Sequence, residues 1–157
     1  MKDNREGFVR EIALADEAAT ERLGARIASG LSTGDMIALE GELGAGKTVL
    51  ARAVLRALGV TESVPSPTFT LVQHYETAKL PIDHFDLYRI EEESELDQLG
   101  LDDALVTGAA MIEWPQRAGA RLPADALHLR IETCGETSRR AIISGPSRWA
   151  HTFEGAI

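Results

Sequence analysis

The sequence has one cysteine and fewer basic than acidic side chains. Cys134 is the only cysteine among 157 residues, which excludes an internal disulfide and a cysteine-rich zinc site, and we expect it to be partly buried. Lysine and arginine number 16 against 25 acidic residues, a net charge of −9. Because binding nucleic-acid phosphates requires an excess of cations, we expect any role in RNA chemistry to depend on a protein partner. The basic pair Arg139-Arg140 is interpreted as a solvated strand edge.

Long apolar segments are also lacking. The N-terminus is charged without the apolar region of a secretory signal, and no stretch approaches the ~18 apolar residues of a membrane span. We therefore expect a cytoplasmic protein with no membrane contact. A 44% hydrophobic and 26% charged composition is typical of a globular domain. One domain is expected over residues 1–157, with its core at about 8–144 and an uninformative tail at 145–157.

Hydrophobic periodicity predicts alternating strands and helices. Strands are predicted at 8–14, 36–40, 68–76, 82–87, 109–114, 126–132 and 140–144, the pair 68–76 and 82–87 being antiparallel. Helices are predicted at 17–29, at 47–58 and in parts of 91–105. Asp16 is the expected N-cap of the first helix, and Ala19, Leu23 and Ile27 its buried stripe. We expect an α/β domain with a mixed parallel and antiparallel central sheet flanked by helices.

A glycine-rich segment between the second strand and the next helix fits G-x-x-x-x-G-K-[ST]. It reads Gly41, Glu42, Leu43, Gly44, Ala45, Gly46, Lys47 and Thr48. Its glycines let backbone N–H groups approach phosphate oxygens at a helix N-terminus. Lys47 can reach the β- and γ-phosphates, and the Thr48 hydroxyl can ligate Mg²⁺. A turn with a surface lysine is the alternative, but the strand-loop-helix context favours a P-loop NTPase-like domain that binds a nucleoside triphosphate.

Two acidic residues are candidates for the same site. Glu113 closes an apolar strand, where a second magnesium-side carboxylate would lie; the alternative is an ordinary strand-end glutamate. Asp86 shares one strand face with His84, while Phe85 and Leu87 share the other, so the polar pair is expected to face the site. For His84 a half-buried, hydrogen-bonded histidine is an equally good interpretation.

Hydroxyl and aromatic residues near these acids are weaker candidates. Ser66, Thr68 and Thr70 lie on a proline-stiffened loop and could contact the γ-phosphate, or they could simply belong to a strand entry. Trp114 could stack on a base or a partner, although large aromatic residues more often pack in the core.

Four sequence blocks in order resemble the TsaE (YjeE) family, the bacterial P-loop ATPases of tRNA threonylcarbamoyladenosine synthesis. They are 41–48 (GELGAGKT), 66–70 (SPTFT), 84–89 (HFDLYR) and 112–115 (IEWP). The first is generic to NTPases, and the other three are specific to the family. The resemblance implies a P-loop fold with an interrupted mixed sheet, and ATP as the nucleotide. The sequence agrees on the nucleotide, because Asn4 is its only asparagine and a guanine-reading Asn-Lys-x-Asp element is missing.

The resemblance also implies roles for individual residues. Lys47 matches the phosphate-binding lysine, Thr48 the magnesium-ligating hydroxyl, and Glu113 the second magnesium-side acid. Asp86 matches an acid near the γ-phosphate that turnover requires, and Trp114 a tryptophan beside the nucleotide. The 66–70 block matches a mobile loop flanking the γ-phosphate.

The implied partners are a TsaB–TsaD pair, with tRNA held only indirectly. In the family the ATPase is slow alone and is thought to reset this threonylcarbamoyl-transferring pair between turnovers. Val49 stands where many members carry a second hydroxyl residue, so only its backbone N–H could serve the α-phosphate. Two alternatives stay open. A small-molecule kinase would need an arginine-rich lid, and Arg89 is the only arginine between Thr61 and Gly108. A binding module gated by nucleotide would bind ATP without significant turnover.

Overall fold

The computed structural model describes residues 7–42, 44–68, 70–155 and 157. The strands in these ranges are β1 (Gly7–Leu14), β2 (Met36–Glu40), β3 (Val72–Tyr75), β4 (Ile82–Asp86), β5 (Ala109–Glu113), β6 (Leu127–Thr133) and β7 (Arg139–Pro146). The helices are α1 (Glu17–Gly30), α2 (Lys47–Ala57), α3 (Glu95–Leu99) and α4 (Leu101–Thr107), with 3₁₀ segments at Pro115–Arg121 and Ser147–Phe153.

Across the described residues, the strands form one sheet in the order β1-β7-β6-β2-β5-β4-β3. The central strands β6, β2, β5 and β4 are mutually parallel, whereas β1, β7 and β3 join antiparallel. The mixed α/β architecture is thus confirmed. The expectation of an interruption is wrong, because each strand is hydrogen-bonded to the next across the whole sheet.

Alternate side chains of the central strands pack into two separate cores, one on each face of the sheet. On β2, Ile37 and Leu39 pack in the core that contains the apolar stripes of α1 and α2. Met36 on the same strand joins the opposite core, under α3, α4 and the first 3₁₀ segment. Strands buried on both faces are continuous apolar runs, which is why β2 and β5 were predicted from sequence.

The first helix begins and packs as its sequence indicates. The Asp16 carboxylate accepts a hydrogen bond from the Ala19 amide at 2.9 Å and so caps the N-terminus of α1. Ala19, Leu23 and Ile27 are buried, as the periodicity predicts. A Cβ at Gly24 would lie 2.5 Å from the Ala53 Cβ, so the missing side chain lets α1 and α2 pack closely.

Several strand boundaries differ from the predictions by one or more residues, and two of the differences have a clear local cause. β3 begins at Val72 and not at residue 68, because Leu71 turns with φ 69° and donates its amide to the Pro67 carbonyl. β5 ends at Glu113, because Trp114 has φ 59° and leaves the extended conformation. Leu71 and Trp114 both lie beside the candidate site described below, and such backbone strain at non-glycine residues is common at functional sites.

Three expectations about the C-terminal part need correction. Cys134 is exposed, in the turn between β6 and β7, and not partly buried. Arg139 is half-buried on a strand that lies between β1 and β6, so the basic pair is not a sheet edge. The core extends beyond residue 144, since Trp149 and Phe153 pack against α1 and β1 with 1% and 0% exposure.

None of the helices in the described ranges has the length and apolar character needed to cross a membrane.

Candidate functional site

The glycine-rich loop connects β2 to α2 in a conformation that needs its glycines. Gly44 and Gly46 have φ values of 80° and 110°, and a Cβ on either would meet no atom within 4 Å, so the space above the loop is open. Gly41 has φ 148°, and a Cβ there would lie 2.7 Å from the Ile131 carbonyl oxygen. The loop is therefore held against the sheet from below and open above. Leu43, also predicted to bind nucleotide, lies outside the described residues.

Lys47 is the first residue of α2 and is 5% exposed. Its ammonium group donates hydrogen bonds to the carbonyls of Gly41 and Glu42, the latter at 3.1 Å, and lies 4.4 Å from the centre of the Trp114 ring. A buried cation folded back onto its own loop is available to an anion that displaces these carbonyls.

Burial lowers the pKa of Lys47 below its ordinary value. The negative charges of Glu113 and Asp86 oppose that shift, since each favours the charged ammonium. Lys47 therefore lies in a site with two carboxylates that favour its protonated form. Bound phosphates would favour the protonated form of Lys47 further.

Thr48, Glu113 and His84 form one connected group. The Thr48 hydroxyl lies 3.2 Å from each carboxylate oxygen of Glu113. His84 Nε2 lies 2.7 Å from Glu113 Oε2, with both residues almost fully buried. His84 does not line the cleft itself and reaches the site only through Glu113, so it is a hydrogen-bonded histidine as the alternative had it, but fully buried and not half-buried.

Asp86 lies next to Glu113 in the sheet but contacts a different partner. The two are register partners on the parallel strands β4 and β5. Asp86 accepts hydrogen bonds from the Thr68 hydroxyl and the Tyr88 amide, both at 3.0 Å. Ser66 lies 2.9 Å from Thr68, hydroxyl to hydroxyl, so the proline-stiffened loop reaches the carboxylate through these two residues.

These side chains surround one open cleft of about 230 Å³. Its lining includes the predicted residues Gly44, Gly46, Lys47, Thr48, Val49, Ser66, Thr68, Asp86, Glu113 and Trp114. Most of the sequence-predicted candidates therefore meet in one place, whereas Gly41, Glu42 and Ala45 do not line this cleft. Thr70 does not line the cleft, and its hydroxyl accepts a hydrogen bond from the Gln73 side chain at 3.2 Å.

Arg139 and Tyr88 also contact the site, although neither was among the predicted site residues. Arg139 Nε donates to the Ala45 carbonyl of the glycine-rich loop at 3.0 Å, so the last strand supports the loop from behind. Tyr88 packs on Trp114 with ring centres 4.9 Å apart. Tyr88 could have been found from the sequence, because it lies within the 84–89 block (HFDLYR). Arg139 lies far along the chain from the glycine-rich loop and belongs to no motif.

The donor set beside the loop suits a magnesium ion. Mg²⁺ prefers hard oxygen ligands and commonly uses one carboxylate together with substrate phosphates and water. The Glu113 carboxylate and the Thr48 hydroxyl, both oxygen donors in contact, meet that requirement. The described part of the chain holds no group of three or more His, Cys, Asp or Glu side chains that could bind a metal unaided. Phosphate oxygens would therefore have to complete the coordination.

Comparison with known proteins identifies the family. A family model described as threonylcarbamoyl adenosine biosynthesis protein TsaE matches residues 14–142. The chain belongs to the TsaE family. The four blocks that suggested this family from sequence lie within the matched range.

Curated TsaE relatives agree with this assignment. A Bacillus subtilis protein is 41% identical over 107 residues, which span 68% of this chain and 66% of that protein. A Nostoc protein is 37% identical over 139 residues, 85% of each chain. Both are named tRNA threonylcarbamoyladenosine biosynthesis protein TsaE. Among solved structures, Bacillus subtilis YdiB superposes with a TM-score of 0.79 at 26% identity, covering 96% of this chain and 95% of its own.

Proposed function

We propose that this member of the TsaE family is a Mg²⁺-dependent ATPase that supports tRNA threonylcarbamoyladenosine modification. The observation that carries the proposal is the meeting of Lys47, Thr48, Glu113 and Asp86 around one cleft above the glycine-rich loop. The names of the relatives supply the pathway. The nucleotide, the metal and the partners are our inference.

Phosphate binding would use the loop and the start of α2. Backbone N–H groups at the N-terminus of a helix attract anions, and Gly46 opens α2 with its left-handed conformation. On binding, the Lys47 ammonium would leave the carbonyls of Gly41 and Glu42 for the β- and γ-phosphate oxygens. Thr48 and Glu113 would hold Mg²⁺, which neutralises charge on the phosphates.

Asp86 is suited to act on the attacking water. Asp86 is 4% exposed and lines the same cleft as Lys47, with one carboxylate oxygen fixed by the Thr68 hydroxyl and the other by the Tyr88 amide. A carboxylate so fixed can accept a hydrogen bond from water, orient it and receive its proton. In this mechanism Lys47 stabilises the transferring phosphoryl group, and Asp86 positions the nucleophile.

The client of the ATPase would be a TsaB–TsaD pair, with tRNA held mainly by those partners. The net charge of −9 supports this division, because the chain by itself has no excess of cations for a polyanion. We propose that the protein acts in the cytoplasm.

The deciding experiment is ATP turnover by the purified protein, alone and with a reconstituted TsaB–TsaD pair, with Lys47→Ala as control. We expect weak activity alone, a rise with the pair, and loss in the variant. Turnover that does not respond to the pair would contradict the proposal. Phosphate transfer that requires an added small acceptor would identify a kinase instead. Tight ATP binding without turnover, even with the pair, would identify a nucleotide-gated binding module.

A further inference from the structure

His84 is the most deeply buried ionisable residue of the site, yet the proposed mechanism does not use it. It is 0% exposed on β4, on the same strand face as Ile82, which packs in the core that contains α2. Its Nε2 contacts Glu113, while Nδ1 has no hydrogen-bond partner among the residues that the structure describes. Burying an imidazole ring with one of its two nitrogens unpaired costs free energy, so the one hydrogen bond that it makes calls for an explanation.

The direction of that bond follows from its partners. A carboxylate only accepts hydrogen bonds, so the proton between the two groups is on Nε2 of His84. His84 then donates to Glu113 Oε2 at 2.7 Å. Thr48, which lies 3.2 Å from both oxygens of Glu113, is the other side-chain hydrogen-bond partner of this carboxylate among the described residues.

We infer that His84 is a positioning residue, which fixes the Glu113 carboxylate for Mg²⁺; this rests on the proposed function. A glutamate has three rotatable bonds, and metal affinity depends on partners that hold a ligating carboxylate in one orientation. Because the bond occupies one side of Oε2, the remaining lone pairs stay turned toward Thr48 and the cleft. Removal of such a partner typically weakens metal affinity by about 10–100-fold.

The position of the donor distinguishes this role from simple core packing. The amide nitrogen of glutamine can occupy the place of Nε2, whereas that of asparagine reaches only the place of Nδ1. His84→Gln should therefore retain the magnesium affinity, and His84→Asn and His84→Leu should weaken it. A packing role predicts no such order, since leucine fits a buried apolar site best.

The experiment measures ATP affinity by calorimetry at a series of Mg²⁺ concentrations and in EDTA. In His84→Leu and His84→Asn we expect the half-saturating Mg²⁺ concentration to rise at least 10-fold, with ATP affinity in EDTA unchanged. His84→Gln should stay within about threefold of the original protein. His74→Leu is the matched control, because His74 lies on the neighbouring strand β3 and bonds Asp83 away from the cleft.

A double-mutant cycle tests whether His84 acts through Glu113. In a Glu113→Gln background, His84→Leu should not change the Mg²⁺ requirement further, because the carboxylate that it positions is gone. Unchanged magnesium affinity in His84→Asn, or equal loss in His84→Gln and His84→Asn, would overturn the inference. If the unmodified protein binds ATP equally well with Mg²⁺ and in EDTA, the proposed magnesium-dependent function fails first. If leucine prevents folding, the asparagine and glutamine variants decide alone.

Discussion

Two charged residues of the cleft have separable effects on binding and turnover. Lys47→Ala removes the buried ammonium that would contact two phosphates, and truncation of one partner of such a pair costs about 2–5 kcal/mol. Asp86→Ala instead removes a negative charge from the phosphate site, so ATP affinity should be unchanged or tighter. The water loses its orienting base, and turnover should fall by about 10²–10⁴-fold.

Calorimetry for affinity and phosphate release for turnover check both variants. Asp86→Asn is the matched control, because an amide oxygen can still accept the hydrogen bond from Thr68 while its basicity is lost. Normal turnover in Asp86→Ala would remove that residue from the mechanism.

His74 gives a residue-scale prediction about pH. Its hydrogen bond to Asp83, the residue opposite it on β4, raises the pKa of His74 above 6.5. A folded-state pKa raised in this way contributes stability that is fully present below pH 6.5 and is lost as the pH rises through the raised pKa. The His74 side chain is 56% exposed, so the contribution is that of a surface pair, about 0.2–1 kcal/mol.

Urea unfolding at pH 6 and pH 9 measures this effect. We expect His74→Gln to be less stable than the original protein at about pH 6 and equal to it at about pH 9. In an Asp83→Asn background the pH dependence of this difference should shrink but not vanish, because the Glu76 carboxylate, 3.5 Å from His74 Nε2, also raises the pKa of His74. A difference that grows toward high pH would show that the sign is wrong.

At the scale of elements, the contact between α1 and α2 sets the position of the nucleotide-binding helix. Gly24→Ala should destabilise the protein by about 1–3 kcal/mol, although alanine is the better helix former by about 1 kcal/mol. The reason is the added Cβ, which would lie 2.5 Å from the Ala53 Cβ and 2.9 Å from backbone atoms of Ala53 and Val54.

Ala53→Gly in the same chain should recover part of this loss, because it removes one of the three clashes and leaves the two backbone ones. Chemical denaturation of the single and double variants measures the coupling. If the two substitutions add without coupling, the helices do not meet at this pair.

Most elements could be predicted from the sequence because each leaves a local signal. The apolar runs of β2 and β5, the Asp16 cap and the glycine-rich loop fix their own conformations. Contacts between residues far apart in the sequence leave no such local signal. The bond between His84 and Glu113 depends on the register of β4 against β5, and alternation within a strand shows its faces but not its neighbour. The support that Arg139 gives to Ala45 likewise depends on strand order.

At the scale of the whole molecule, the C-terminal 3₁₀ segment completes the larger core. Trp149 and Phe153 are buried against α1, and Phe153 stacks on Phe8 of β1 with ring centres 5.9 Å apart. Arg26 donates to the carbonyls of Thr152 and Glu154 at 3.2 and 2.9 Å. The segment therefore fastens the first helix and the edge strand of the sheet together, a role that no periodicity in its sequence indicated.

Trp149→Ala should consequently lower stability by about 3–5 kcal/mol, the usual cost of truncating a buried aromatic residue. For a chain of this size that is a fall in melting temperature of roughly 6–20 °C. Trp149→Phe should cost far less, because it keeps the ring contact with Phe153 and removes an indole N–H that has no partner among the described residues. ATP affinity of the folded fraction should not change, since Trp149 does not line the cleft. The expected fall in melting temperature is roughly 6 °C or more. If the melting temperature of Trp149→Ala stays within about 2 °C of the original, the sheet and α1 hold together without the C-terminal segment.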